Sequence, residues 1–220
     1  LDRDMFYGRG LNLAIIAAAN LQRTGDLARA DQTFAAARAY LSAMSYAAGI
    51  STVEALRGRA LIDAGHPDLA ASVVDAAAKD AARQGNAGIL WRLQALQGEA
   101  LLASGRAPAA EQAYRAAQLG IDAVSGALAT DGAKRRFGVG KDEVTHALVR
   151  MDLARGDMAA AFSDLERGRA RAFVDMLGEQ RLASGRDAKA VEAIREISKE
   201  IRRQRAINAT PGIVATDGVV

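Results

Sequence analysis

The sequence predicts an all-α fold built from about four antiparallel helical hairpins, and three observations support this. The 220 residues are 50% apolar, yet aromatic residues make up only 5% and there are three prolines. This alanine-rich mixture favours helices, and it lacks the β-branched and aromatic runs that an all-β fold needs. One segment layout recurs about every 40 residues, and a glycine marks each recurrence where a helical run ends.

The repeat is defined by four glycines, Gly25, Gly65, Gly105 and Gly156, which are 40, 40 and 51 residues apart. An alanine follows each glycine after five residues, a large apolar residue after nine and a small residue after twelve. These sets are Ala30, Phe34 and Ala37; Ala70, Val74 and Ala77; Ala110, Tyr114 and Ala117; and Ala161, Leu165 and Gly168.

Helix geometry predicts that each recurrence of this layout forms a hairpin of two helices. A glycine in the left-handed conformation ends the first helix, and a second, antiparallel helix begins two or three residues later. The small residues lie near one face of the second helix, where they allow the two helices to approach closely. Pro67 and Pro108 stand where second helices begin, at positions that tolerate proline. The predicted helices span residues 9–24, 27–48, 51–64, 67–84, 88–104, 107–127, 141–155 and 158–178.

The remaining segments frame this repeat region of residues 9–178. Residues 1–8 are predicted to be an N-terminal cap or the remnant of an earlier repeat. The extra residues before the fourth hairpin fall in 126–141, which is rich in glycine and basic residues and therefore predicts a loop. Residues 179–220 are predicted to form a connector helix, over about 186–206, and a tail.

The connector helix carries one apolar stripe with charged flanks, so we expect the stripe to dock on a partner surface. That surface is the domain that follows, or the same helix of a second copy in a two-fold homodimer. The docking stripe consists of Val191, Ile194, Ile197 and Ile201.

Composition excludes several classes of function. The net charge of +3 is small and evenly spread, and the basic clusters at 134–136, 167–171 and 202–205 lack interleaved aromatic residues, so nucleic-acid binding is not predicted. No apolar run is long enough for a membrane span. The chain contains no cysteine, which removes disulfides and thiolate chemistry. The compartment stays open between cytoplasm, which is favoured, and periplasm.

No catalytic or metal site is predicted. The run from Gly138 to Lys141 ends like a phosphate-binding loop, but Arg135 stands in place of the first glycine and Asp142 in place of the Ser or Thr. His66 and His146 have no partner at metal-ligand spacing. We therefore expect no cofactor, no metal and no enzymatic activity.

The most plausible binding surface is an inner wall made by the first helix of each hairpin. Residues facing this wall are expected 13, 10, 6, 3 and 2 positions before each turn glycine, and the wall is expected to be mostly polar. It is either a solvated helix face or a groove that recognises a peptide. Its polar members are Asn12, Gln22, Arg23, Thr52, Arg59, Asp63, Arg92, Glu99, Glu143, His146 and Arg150.

The repeat resembles the tetratricopeptide repeat family. Gly58-x-x-Leu61 and Gly98-x-x-Leu101 match the first helix of that signature, and Ala30-x-x-x-Phe34 and Ala110-x-x-x-Tyr114 match the second. The period of 40 exceeds the family's 34, the closing proline is missing, and Gln94 and Gln97 replace its Trp and Leu. The resemblance implies a right-handed superhelical solenoid with long helices that binds a protein or peptide.

A second resemblance concerns the run from Glu166 to Leu177, which is similar to the last repeat before a CHAT domain, a caspase- and separase-like domain. It implies that the chain is the regulatory scaffold of a CHAT-type protein and a fragment cut before that domain, as the start at Leu1 without Met also suggests. The catalytic His and Cys of that family would lie beyond this chain. A free-standing adaptor, or a fragment that completes an enzyme active site in trans, are the alternatives.

Overall fold

The computed structural model describes residues 3–127 and 140–183, and within these ranges every regular element is an α-helix. The eight helices are α1 (Arg3–Thr24), α2 (Leu27–Ala43), α3 (Ala47–Asp63), α4 (Pro67–Arg83), α5 (Ala87–Ala103), α6 (Ala107–Ala127), α7 (Lys141–Ala154) and α8 (Met158–Ala183). The all-α prediction is therefore confirmed for the described residues. The central part of the predicted loop and the whole docking stripe lie outside them.

The chain divides into two compact units. The first comprises Leu1–Ala127 with Phe137–Gly168, and the second comprises Leu128–Arg136 with Arg169–Val220. The first unit contains α1 to α7 and the N-terminal part of α8. Of the second unit, the described part is the C-terminal end of α8, residues 169–183.

Short turns join the helices of each hairpin, as the sequence predicts. The four turn glycines have positive φ angles, between 67° and 79°, which glycine adopts without strain. At the second turn, His66 N–H donates to the Leu61 carbonyl at 2.8 Å and Gly65 N–H donates to the Ile62 carbonyl at 3.0 Å. These two bonds satisfy carbonyls at the end of α3, and the helix stops there.

The turn between α2 and α3 was predicted wrongly. The sequence predicts that α2 runs to residue 48 and that α3 begins at 51, whereas α2 ends at Ala43 and α3 begins at Ala47. Ser45 takes the left-handed conformation here, with φ 52°, and Tyr46 N–H donates to the Leu41 carbonyl at 3.0 Å. A serine and not a glycine adopts the left-handed conformation at this helix end, so the usual sequence signal for a helix end is missing.

The outer ends of the helical region also differ from the prediction. α1 begins at Arg3, within the segment assigned to a cap, and α8 continues through Gly178 to Ala183. A glycine inside a helix lowers its stability, but it does not by itself end the helix.

The small residues of the repeat allow the close packing that the pattern requires. Ala30, Ala70 and Ala110 are buried at the start of α2, α4 and α6. In the first helices, a Cβ atom on Gly58 would overlap Val74 Cγ2, and one on Gly98 would lie 2.8 Å from the Tyr114 ring. Only glycine fits at these two contacts between paired helices.

The fourth hairpin departs from this scheme. Its residue Leu165 is 38% exposed, whereas the equivalent Phe34, Val74 and Tyr114 are buried. The packing is therefore that of a helical repeat. In the last described hairpin, however, the large apolar residue of the second helix is not buried.

Candidate functional site

A cleft of about 840 Å³ lies between α3, α5 and α7, which are the first helices of the second, third and fourth hairpins. Tyr114 of α6 also lines it, and all of its lining belongs to the first compact unit. Six of the predicted wall residues line this cleft. They are Thr52, Arg59, Arg92, Glu99, Glu143 and Arg150.

The other five predicted wall residues lie elsewhere. Asn12, Gln22 and Arg23 belong to α1, and Arg23 Nη2 donates to the Asn20 side chain at 3.3 Å. Asp63 ends α3 and contacts Arg59 and Gln22. His146 is an exposed residue of α7 outside the cleft lining.

The expectation of a mostly polar wall was wrong for the cleft. Eleven of its 17 lining residues are apolar, aromatic or glycine. Three of them, Ala55, Ala95 and Leu102, stand at the wall offsets, but only the polar members of the wall were named as candidates. The offsets omit the position nine residues before the turn glycine, which holds Leu56 on α3, Leu96 on α5 and Ala147 on α7.

Polar side chains form a row across three first helices, which we call the polar ladder: Gln22, Asp63, Arg59 and Glu99. Gln22 Nε2 donates to Asp63 Oδ2 at 3.0 Å, joining α1 to α3. Arg59 Nη1 lies 4.0 Å from Asp63 Oδ1, and Arg59 Nη2 donates to Glu99 Oε2 at 2.7 Å, joining α3 to α5. The second guanidinium nitrogen contacts Glu99 Oε1. The bidentate hydrogen bond to Glu99 raises the pKa of Arg59 despite its partial burial.

Trp91 and Arg92 form one edge of the cleft. Trp91 is the only tryptophan of the chain and is 2% exposed. The guanidinium carbon of Arg92 lies 4.5 Å from the Trp91 ring centroid, a cation–π distance. Arg92 is half-buried, and burial lowers its pKa. The cation therefore sits on an apolar surface at the cleft and is partly stripped of water.

Tyr114 contributes a neutral phenol to the cleft. Burial raises the pKa of Tyr114 to about 12, and the nearby Glu99 carboxylate raises it too. The phenol therefore stays protonated at physiological pH. The cleft therefore combines this neutral phenol with an apolar lining and charged side chains.

A second polar cluster lies between α6, α7 and α8, and its two aspartates are buried. Asp152 is fully buried and Asp164 is 3% exposed. Arg115 Nη1 donates to Asp164 Oδ1 at 2.6 Å, and its Nη2 lies 3.6 Å from Asp152 Oδ2. Arg155 donates to Asp152 Oδ1 and to both carboxylate oxygens of Glu111. The Arg115 and Arg155 side chains are partly exposed, at 36% and 46%. We call these five residues the α6–α8 charge cluster.

Two carboxyl groups of this cluster have shifted pKa values, in opposite directions. Burial raises the pKa of Asp152, and its interaction with the neighbouring Asp164 carboxyl raises it further. The hydrogen bond from Arg155 lowers the pKa of Glu111. The cluster holds three carboxyl groups and two guanidiniums, so it is one positive charge short of neutrality when all are ionised.

The structure also describes the remaining sequence motifs. Lys141 is the first residue of α7, is 5% exposed and follows Gly140, which has φ 85°. His66 is the N-cap residue of α4, without a capping hydrogen bond from its side chain. In the part of the chain that the structure describes, no three His, Asp or Glu side chains are grouped as metal ligands. None of the helices in the described ranges is both long and apolar enough to cross a membrane.

Comparison with protein-family models, with curated proteins and with solved structures finds no match to this chain.

Proposed function

We propose that this chain is a non-catalytic scaffold of tetratricopeptide-like repeats that binds a protein or peptide in the cleft between α3, α5 and α7. The observation that carries the proposal is the cleft lining. Equivalent positions of successive hairpins supply an apolar surface with arginine and glutamate side chains at its edge. Such a surface binds the apolar side chains of a partner and orients it through the charges.

The proposed repeat family is supported by the packing of Gly58 against Val74 and of Gly98 against Tyr114. Each pair joins the small residue of a first helix to the large apolar residue of the second. The period of 40 follows from two helices of 17 residues and two three-residue turns. A right-handed superhelical solenoid is part of this proposal.

The proposed parent is a CHAT-type protein. The support is the run from Glu166 to Leu177 in α8, together with the apolar spacing of residues 191–201, from which the sequence predicts a connector helix. In this proposal the repeats receive a partner, and α8 and the connector carry the effect to a protease-like domain. The chemistry would belong to that domain and not to this chain.

The binding proposal is tested by selecting peptides from a displayed library against the 220-residue chain and following the fluorescence of Trp91. Selected peptides should change the emission of this single tryptophan, and Arg150→Glu should weaken their binding. Arg83→Glu is the matched control, because Arg83 is exposed on α4 and pairs with Asp80 away from the cleft lining. Peptides that bind Arg150→Glu as tightly as the wild type would contradict the proposed site.

A further inference from the structure

One oxygen atom of the α6–α8 charge cluster lacks a hydrogen-bond donor. Asp152 is fully buried on α7, and Arg155 donates to its Oδ1. Its Oδ2 is also buried, but no group in the described ranges of the chain donates a hydrogen bond to it. Arg115 Nη2 is 3.6 Å away, which is too far for a hydrogen bond. A buried carboxylate oxygen without a donor is costly in free energy, so a hydrogen at this atom would stabilise the fold.

The Asp164 carboxyl on α8 is the neighbour that can share a hydrogen with Asp152. It is 3% exposed, and Arg115 Nη1 donates to its Oδ1 at 2.6 Å and to its Oδ2 at 2.5 Å. Arg115 therefore contacts both aspartates. The two carboxyls also interact with each other, and their hydrogen bonding raises the pKa of Asp152. Two carboxylates are both acceptors, so a hydrogen bond between them requires a proton on one of them.

The charge of the cluster points to the same proton. The charged groups around Asp152 come from every helix of the cluster, and they are Glu111 and Arg115 on α6, Arg155 on α7 and Asp164 on α8. Asp157 attracts Arg155 from the turn, but it is exposed. One proton neutralises the three carboxyls and two guanidiniums of the cluster. Glu111 is not its carrier, because the hydrogen bond from Arg155 lowers the pKa of Glu111.

We propose that Asp152 and Asp164 share one proton, and that this proton makes a pH-sensitive contact between α7 and α8. The protonated carboxyl donates to the ionised one, which supplies the missing donor and joins the two helices of the fourth hairpin. When the proton leaves to water, two buried carboxylates face each other, and α8 is held less firmly on α7. This shared-proton contact is a property of the hairpin itself and does not depend on binding in the cleft.

The direction of the pH effect follows from the proton balance. The closed hairpin binds one proton more than the opened hairpin at pH values between the ordinary aspartate pKa of about 3.9 and the raised pKa of the pair. The contact is therefore fully effective below the ordinary pKa and is lost as pH rises through the raised one. Within this window the equilibrium constant for opening rises by up to about tenfold per pH unit, and above it the constant levels off.

The test is hydrogen exchange of the α8 amides up to Gly168 at a series of pH values, with each rate divided by that of an unstructured peptide at the same pH. In the wild type, the corrected rates should rise with pH and then level off. Asp164→Asn should remove the rise, because the asparagine amide donates to the Asp152 carboxylate at every pH. Asp152→Asn should do the same, since its amide donates to Asp164. Each variant keeps an acceptor for its arginine, so both should fold.

A control and a second measurement separate a shared proton from other causes. Asp31→Asn is the matched control, because it also removes an arginine-bound carboxyl, at the contact of Asp31 with Arg57 between two hairpins. Carbon-13 NMR of the aspartate carboxyls should show the Asp152 and Asp164 signals titrating together in the wild type.

Three results would overturn the proposal. A rise that persists in Asp164→Asn would place the proton on Asp152 alone. Corrected rates that do not change with pH in the wild type would show that the pair holds no proton. An equal loss of the rise in Asp31→Asn would show that the effect does not come from the α6–α8 charge cluster.

Discussion

Asp152 is the residue at which the fourth hairpin departs most from the others. The three equivalent positions, four residues before the turn glycine, are leucines that are buried, namely Leu21, Leu61 and Leu101. Asp152 is equally buried but brings a carboxylate among charged neighbours. Desolvation of an ion pair offsets much of its Coulomb attraction, so an aliphatic residue is often at least as stabilising in such a place.

The first prediction concerns the replacement of Asp152 by the leucine that the other hairpins have at this position. Asp152→Leu should raise the free energy of unfolding by about 1 kcal/mol, because Arg155 keeps Glu111, Arg115 keeps Asp164 and the cluster becomes neutral. Arg115→Met should instead lower it by roughly 1 to 3 kcal/mol, since it leaves the buried Asp164 carboxylate without its donor. Urea denaturation followed by circular dichroism measures both. A large loss of stability in Asp152→Leu would show that the carboxylate is needed for folding.

A second prediction follows from the pKa of Asp152, which is raised in the folded protein. A raised carboxyl pKa contributes stability that is fully present below the ordinary aspartate pKa of about 3.9 and is lost as pH rises through the folded value. Glu111 acts in the opposite sense, since its lowered pKa contributes stability that is lost in acid. Stability should therefore fall less between about pH 4 and 8 in Asp152→Asn than in the wild type.

The pH prediction is measured by urea denaturation at a series of pH values. Asp80→Asn, at an exposed carboxylate of α4 outside the cluster, is the control substitution. Parallel profiles for the wild type and Asp152→Asn would contradict the role given to Asp152.

At the scale of the helices, one glycine on the first helix allows the two helices to pack closely in the second and in the third hairpin. These glycines are Gly58 and Gly98. The third prediction is that Gly98→Ala lowers the free energy of unfolding by about 1 to 3 kcal/mol, because the new methyl group overlaps the buried Tyr114 ring. This loss outweighs the gain of about 1 kcal/mol that alanine brings to a helix interior. Gly8→Ala in α1 is the matched control, with no atom within 4 Å of the new Cβ, and should stabilise. Similar effects of the two substitutions, measured by thermal unfolding, would contradict the packing argument.

The sequence predicted helices best where glycine ends them. The bounds of α4 to α7 agree within one residue, because Gly65, Gly85, Gly105 and Gly156 all end helices by adopting positive φ. The turn at Ser45 was missed because nothing local distinguishes this serine from one inside a helix.

The candidate site was predicted in part, and for a similar reason. Counting back from the turn glycine found the charged edge of the cleft, because helix periodicity alone places Arg59, Arg92 and Arg150. The apolar lining was missed because a large apolar residue on a first helix predicts core equally well. Trp91 and Tyr114 reach the cleft only through the packing of neighbouring hairpins.

For the whole molecule, the hairpins are expected to differ in local stability. Repeat proteins open unit by unit, since each unit contacts only its neighbours. The fourth prediction is that amide hydrogens of 141–168 exchange faster than those of 47–103, because this hairpin contributes the buried carboxyl groups of Asp152 and Asp164 and leaves Leu165 exposed. Hydrogen exchange with mass spectrometry should show this order, and Asp152→Leu should reduce the difference. Uniform protection of all hairpins would contradict it.

The equal lengths of α2 to α5 have a consequence for how such a chain can change its size. Ala47 and Ala87 begin equivalent helices, so excising residues 47–86 would splice Tyr46 to Ala87 without shifting any later residue out of phase. At the new junction, Asp31 and Arg38, which now pair with Arg57 and Glu54, would face Gln97 and Gln94. Amides can donate to one and accept from the other, so the graft would exchange ion pairs for hydrogen bonds between one charged and one neutral group. Loss or duplication of the gene segment for one hairpin would thus shorten or lengthen the binding wall by one first helix. The remaining hairpins would stay interchangeable.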